Sequence, residues 1–150
     1  LQHYFMVTRP TEAAERSAKW IEKKAKGFGA KQTESGLVYK VVKAGDMEKA
    51  AKSDEDVVKV HYVGKLQDGT VFDSSYARGQ AAEFPLSGVI AGWTEGLQLV
   101  GKGGQITLWI PAELGYGVYG SGSGAIGPND ALEFKVELHD VTVAGAPHTA

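Results

Sequence analysis

The sequence predicts an α+β domain: a half-wrapped antiparallel sheet with a short central helix on its apolar face, preceded by an additional N-terminal helix. Three observations carry this. Apolar and polar residues alternate along Leu37–Val42, Val58–Lys65, Gln105–Ile110 and Leu132–His139, the period of strands with one buried and one wet face. Within that series, Gly92–Val100 brings Trp93, Leu97 and Val100 to one side at helical spacing. Ahead of it, Ala14, Ala18, Ile21, Ala25 and Phe28 recur with the same helical period.

The elements follow in order. A helix is predicted over Glu12–Lys26, capped by Thr11 and stopped by Gly27 and Gly29. Glu15–Lys19 and Glu22–Lys26 are i,i+4 pairs with the acid on the favourable N-terminal side. Its apolar face is mostly alanine, so Trp20 is the expected anchor. Two readings stay open for it: a helix leaning on its own domain, or a dimerisation or linker helix. Lys31–Gly36 is a polar connector, and the period changes to two after Gly36. Gly45–Asp56 reads as a loop. In the strand Asp56–Gln67, Val58, Val60, Tyr62 and Gly64 share one face, while Lys59, His61, Val63 and Lys65 share the other. Asp68-Gly69 is a turn signal, and Thr70–Asp73 should return from it. Ser74–Glu83 is a polar excursion. Pro111 ends the strand Gln105–Ile110, and Ala112–Gly127 is a loop long enough to suggest function. The last strand is Ala131–Val143. The expected organisation is an extension over 1–35, a domain over 36–143 and a loose tail over 144–150.

Composition narrows the chemistry. A chain of 150 residues can build a core without staples, and there is no cysteine for disulfides or thiolate zinc sites. The formal charge of -2 does not suggest a nucleic-acid binder. Residues 1–35 carry seven Lys/Arg against four Asp/Glu, whereas the remainder is acidic, so the two segments differ in character. No stretch is long and apolar enough to span a bilayer. Leu1–Val7 is too short for a signal peptide, and an initial Leu is expected of a fragment or processed product. His3, His61, His139 and His148 show no ligand spacing, and His61 and His139 fall on the wet phase of their strands. The Gly-Ser run Gly120–Gly124 lacks the flanking strand and helix of a phosphate-binding loop. No nucleophile elbow is present. No cofactor or metal is expected.

What remains is aromatic. Tyr62, Phe72, Phe84, Trp93, Tyr116 and Phe134 all fall on inward faces or at loop roots. A plain core has little use for Tyr62, Trp93 and Tyr116, whose polar tips need partners. Asp73 beside Phe72 is also unusual, since an aspartate next to a buried ring is generally exposed or paired.

Several blocks carry a resemblance. Val60-His61-Tyr62-Val63-Gly64 and Leu66 through Asp68-Gly69-Thr70 to Phe72-Asp73-Ser74-Ser75 come first. Val89-Ile90 with Gly92-Trp93 and Glu95-Gly96-Leu97 follows, then Ile110-Pro111-Ala112-Glu113-Leu114-Gly115-Tyr116-Gly117, then Leu132 to Leu138. In this order and spacing they resemble the FKBP family of peptidyl-prolyl cis/trans isomerases. The phrases Thr33–Tyr39 and Gly92–Leu99 narrow this to the bacterial macrophage infectivity potentiator and FkpA-like group. The resemblance implies a curved antiparallel sheet wrapped around a short helix, and a pocket for a prolyl ring. It puts Trp93 at the pocket floor and Tyr62, Phe72 and Phe134 in the walls, with Phe84 among the substrate-binding residues. It puts Val89 and Ile90 at the helix entrance, where the Ile90 amide would hold a substrate carbonyl. Tyr116 would bond a carbonyl oxygen, Asp73 would lie near the isomerising bond with Arg78 as partner, and Ile126 would sit at the tip of the long loop.

Two departures stand out. Ala82 replaces a second aromatic of the rim, which should open it, and the loop ends Ile126-Gly127-Pro128 after the Gly-Ser run. The resemblance further implies proline-containing polypeptides as substrates in protein folding, FK506- or rapamycin-like macrolides as inhibitors, a possible homodimer through the N-terminal helix, and a periplasmic or outer-membrane location. A chaperone or peptide-binding module with weak catalysis is the alternative activity. The extension is expected to be dispensable: removing residues 1–30 should leave a folded, active domain.

Overall fold

A computed structural model of the chain describes residues 12–53, 55–121 and 126–142. Thr11, His3, His148, part of the Gly-Ser run and the 144–150 tail lie outside them. The elements are α1 (Glu12–Ala25), β1 (Lys31–Gln32), β2 (Val38–Lys43), β3 (Asp46–Ala50), β4 (Val57–Leu66), β5 (Val71–Ser74), α2 (Ser75–Arg78), β6 (Ala82–Pro85), α3 (Ala91–Gly96), β7 (Gly101–Lys102), β8 (Gln105–Ile110) and β9 (Leu132–Thr142). Short 3-10 turns occupy Leu86–Gly88, Ala112–Leu114 and Gly117–Tyr119.

The strong alternation in β4, β8 and β9 decides the sheet. These strands pair antiparallel at its centre, in the order β1-β2-β8-β9-β4-β5, with β6 also paired to β4. Their apolar phases meet on one face: Val58, Val60 and Tyr62 from β4, Ile106, Leu108 and Ile110 from β8, and Leu132, Phe134, Val136 and Leu138 from β9. All ten are buried, which is why a slip of one residue in any of these strands would be costly.

The expectation of a curved sheet wrapped around a central helix is corrected. The sheet is an open series of strands and is neither curled nor closed around a helix. The helix in question, α3, has six residues and so is only about 9 Å long. It lies on one face, against β8. Two glycines permit that approach: a Cβ at Gly92 would come within 2.7 Å of Ile110, and one at Gly96 within 2.5 Å of Leu108. Period-two alternation reports which face is buried but carries no information about sheet curvature, so wrapping was not legible from it.

Three smaller differences have local causes. Residues 46–50 form β3, paired irregularly with β7, where a loop was expected; four of the five are exposed, so no alternation marked the strand. The polar excursion after β5 contains α2, capped by Ser74 and closed by Gly79 at φ 70, and then β6. Helix α3 ends at Gly96, although Leu97 and Val100 beyond it are fully buried as their spacing suggested.

The N-terminal helix leans on its own sheet. Ile21 is buried with Val38 and Ala131, and Trp20 and Ala25 pack against that cluster. Phe28 does not join the stripe and is 96% exposed, because the chain leaves the helix at Ala25 and turns through Gly27. The Glu22–Lys26 pair forms at 3.5 Å on the outer side.

The close seat of α3 on β8 generates a prediction. In an exposed helix, Gly→Ala stabilises by about 1 kcal/mol. At Gly96 the added methyl would strike the buried Leu108, and overpacking of this kind costs about 1–3 kcal/mol. Gly96→Ala should therefore lower stability in urea unfolding; a gain would contradict the packing described.

Candidate active site

The inward phase of β4 puts Tyr62 over the helix-covered face of the sheet, and α3 presents Trp93 to it. Their rings meet edge to face with centroids 5.0 Å apart. Phe84 of β6 and Phe134 of β9 meet Trp93 in the same way, at 5.6 and 5.2 Å. Phe72 of β5 completes the wall by standing edge-on to Phe134 at 5.5 Å. Each such contact contributes about 0.5–1.5 kcal/mol beyond burial, so the rings fix one another's orientation. Trp93 is 4% exposed, and its indole Nε1 has no hydrogen-bond partner, a cost the surrounding packing must offset.

These five rings line a cavity of about 450 Å³ together with Asp73, Gly88, Val89, Ile90 and Tyr116. Val89 and Ile90 form the lip at the start of α3. The Ile90 carbonyl accepts from the Trp93 and Thr94 amides, and Thr94 Oγ1 donates to the Leu86 carbonyl at 2.6 Å, which pins the lip to the helix. Tyr116 stands across the opening at the root of the long loop and is 41% exposed.

One charged group borders this apolar space. Asp73 accepts hydrogen bonds from the Tyr62 hydroxyl and from Arg78 Nη1, each at 2.5 Å. Arg78 Nη2 also donates to the Tyr62 oxygen at 3.0 Å, closing a triangle, and its guanidinium lies 5.7 Å from the Tyr62 ring centroid. Partial burial disfavours the Asp73 carboxylate, but the bonds from Tyr62 and Arg78 together outweigh it and hold its pKa below the usual value. Burial and the adjoining Asp73 push the Tyr62 phenol upward, so it stays a donor.

The remaining predicted residues lie outside the lining. Ala82 sits opposite Val60 in the β6–β4 pairing and packs, partly buried, on the core. Ile126 is buried in the core, its amide bonded to Ser121 Oγ at 3.0 Å. Arg78 reaches the site only through Asp73 and Tyr62. Of the two strand histidines, His139 is exposed, whereas His61 is half-buried, stacked on Tyr76 and bonded through Nδ1 to Ser75 Oγ at 2.8 Å. Among the described residues no group of three His, Asp or Glu is placed to hold a metal.

Sequence reasoning missed two glycines. Gly88 lines the cavity. Gly64 does more: a Cβ there would lie 2.7 Å from both Phe134 and Phe72, so its missing side chain is the space these rings occupy. The signal was available, since a glycine on the apolar phase of a strand often marks a close approach.

An aromatic cavity bordered by one paired carboxylate offers a site for a small apolar ring. Residues 48–139 match the family of FKBP-type peptidyl-prolyl cis-trans isomerases, and the chain belongs to that family. It is 52% identical over 130 residues to a probable FKBP-type peptidyl-prolyl cis-trans isomerase of Haemophilus influenzae, covering 87% of this chain and 53% of that one. The crystal structure of FkpA from Escherichia coli superposes with a TM-score of 0.82 at 48% identity, covering 87% of this chain and 60% of FkpA. A peptidyl-prolyl cis-trans isomerase structure from Pseudomonas syringae gives a TM-score of 0.79 at 33% identity, covering 91% of this chain and 98% of that one. The Haemophilus influenzae relative is thus matched over about half of its length.

The Asp73 triangle makes a pH prediction. A carboxyl with a depressed folded pKa binds fewer protons than it does in the unfolded chain, so its contribution is complete above the unfolded value and declines as pH falls. The stability difference between the wild type and Asp73→Asn should therefore be constant above about pH 5 and shrink below about pH 4. Urea unfolding across that range measures it; a difference that grows on acidification would contradict the triangle.

Proposed function

We propose that this chain catalyses cis/trans isomerisation of X–Pro peptide bonds in polypeptides and thereby assists their folding. The observation that supports this most is the aromatic cavity itself, whose one charged wall group is already committed to two internal donors. Isomerisation makes and breaks no covalent bond. The X–Pro amide must rotate against an activation energy of about 20 kcal/mol, which resonance imposes. Rotation removes the resonance and its charge separation, so a dry apolar cavity favours the twisted amide over the planar one. Each tenfold in rate requires only about 1.4 kcal/mol of that preference.

In this reading Trp93 supports the prolyl ring, with Tyr62, Phe72, Phe84 and Phe134 around it. The Ile90 amide and the Tyr116 hydroxyl hold carbonyls flanking the bond, and the Asp73 carboxylate acts through its field. Ala82 and Ile126 influence the rim from beside the cavity rather than from within it. Residues 36–143 form the isomerase domain that holds every cavity-lining residue, preceded by the helical segment 1–35 and followed by the tail 144–150. FK506- or rapamycin-like macrolides would compete for the same cavity. Membership in the FkpA-like group supports a location in the cell envelope and a homodimer involving α1. No helix among the described residues is long and apolar enough to cross a membrane. A peptide-binding role with weak catalysis is favoured by Tyr119, which is 90% exposed three residues beyond Tyr116 and offers a ring to an extended chain.

Isomerisation of an X–Pro tetrapeptide separates these readings. The wild type should accelerate it, and Asp73→Val should lower kcat/KM at least tenfold, about 1.4 kcal/mol of transition-state stabilisation. Asp73→Asn should fall between them. Because no group takes a proton from substrate, kcat/KM should show no bell-shaped profile from pH 5 to 9. Wild-type activity in Asp73→Val would remove Asp73 from the site, and a steep loss centred on one pKa would contradict the distortion mechanism.

A further inference from the structure

The N-terminal helix bonds through one buried hydroxyl to two segments that lead to cavity-lining residues. Ser17 lies in the middle of α1 and is 4% exposed. Its Oγ donates to the Asn129 carbonyl at 2.5 Å and accepts from Gln67 Nε2 at 2.7 Å and from the Ala131 amide at 3.1 Å. A serine hydroxyl has one donor and two acceptor sites, so these three bonds use it completely. A mid-helix serine ordinarily points to solvent or bonds back to its own helix. Here the partners are 50, 112 and 114 residues away.

Those partners are the roots of the two segments that face each other across the cavity. Asn129, in the left-handed region at φ 60, donates its amide to the Gly117 carbonyl at 2.9 Å, and Gly117 directly follows Tyr116. Gln67 follows β4 at the turn that delivers Phe72 and Asp73, a turn closed by the Leu66 amide on the Thr70 carbonyl at 2.9 Å. Ser17 is the atom-level junction between the Tyr116 loop and the Phe72–Asp73 turn.

We propose that Ser17 is a positioning residue for isomerisation: it sets Tyr116 against the Phe72–Asp73 wall, which makes α1 a working part of the catalytic unit and not a dispensable extension. The proposal rests on the reading of the cavity as the prolyl site. Without the hydroxyl, the half-buried Asn129 carbonyl and the buried Ala131 amide lose this bond, which removes one restraint on the loop root. Misplacement of a substrate-holding group by about 1 Å can reduce rate by up to about a hundredfold, and a partial shift should cost less.

The test is a double-mutant cycle in the full chain with an X–Pro tetrapeptide, at a temperature where all variants are folded. Ser17→Ala should lower kcat/KM about fivefold. In a Tyr116→Phe background the same substitution should change it less than about twofold, because Ser17 acts through Tyr116. Amide hydrogen exchange supplies a readout independent of turnover. The Asn129 amide, which donates to Gly117 from the residue whose carbonyl Ser17 holds, should exchange faster in Ser17→Ala, while Val60 in central β4 keeps its protection. Equal rate factors in both backgrounds would reduce Ser17 to a structural residue and overturn the proposal, as would unchanged kcat/KM. An inactive wild type would sink the isomerase reading instead; unchanged exchange at Asn129 would then still refute the tether.

Discussion

Trp93 is the fixed point of this molecule. Its ring takes edge contacts from Tyr62, Phe84 and Phe134 at 5.0 to 5.6 Å, and these come from three different strands. Each of those strands is held in register by β4, either as β4 itself or by pairing with it. The indole is thus the place where helix, sheet and cavity meet. It is also held at a cost, because its N–H is buried without a partner.

The surround depends on absences as much as on contacts. Gly92 and Gly96 let the helix carrying Trp93 touch β8, and Gly64 vacates the volume into which Phe72 and Phe134 turn their edges. Beyond the aromatic shell, polar bonds take over. Arg78 and Tyr62 hold Asp73, Thr94 ties the lip to α3, and Ser17 ties the loop root to α1. The apolar floor is therefore set by packing, and the orientation of the rim by hydrogen bonds.

This division explains what could be read before the structure was known. Strand β8 was legible to the residue, because Ile106, Leu108 and Ile110 alternate cleanly and Pro111 stops the strand. Phase placed Tyr62 on the buried side of β4 with Val58 and Val60, whereas the wall as a set was legible only through the family resemblance. Strand β3 was not, since its exposed residues have no periodic burial to announce it. Nor was the openness of the sheet, a property of strand geometry that a pattern of faces does not encode. Phe28 continued a helical stripe on paper, yet the chain had already left the helix. Ser17 carries no signal in the sequence. Its role depends on partners at 67, 129 and 131, and no local period connects those positions.

The central claim is that a prolyl ring on the Trp93 floor is what lowers the rotation barrier. Exchange NMR on an equilibrium mixture of cis and trans X–Pro peptide measures the catalysed interconversion directly, without a coupled protease. Wild-type protein should speed the exchange, and Trp93→Leu should lose most of that acceleration while the amide signals of β4, β8 and β9 keep their native dispersion. Equal acceleration by a folded Trp93→Leu variant would contradict the account.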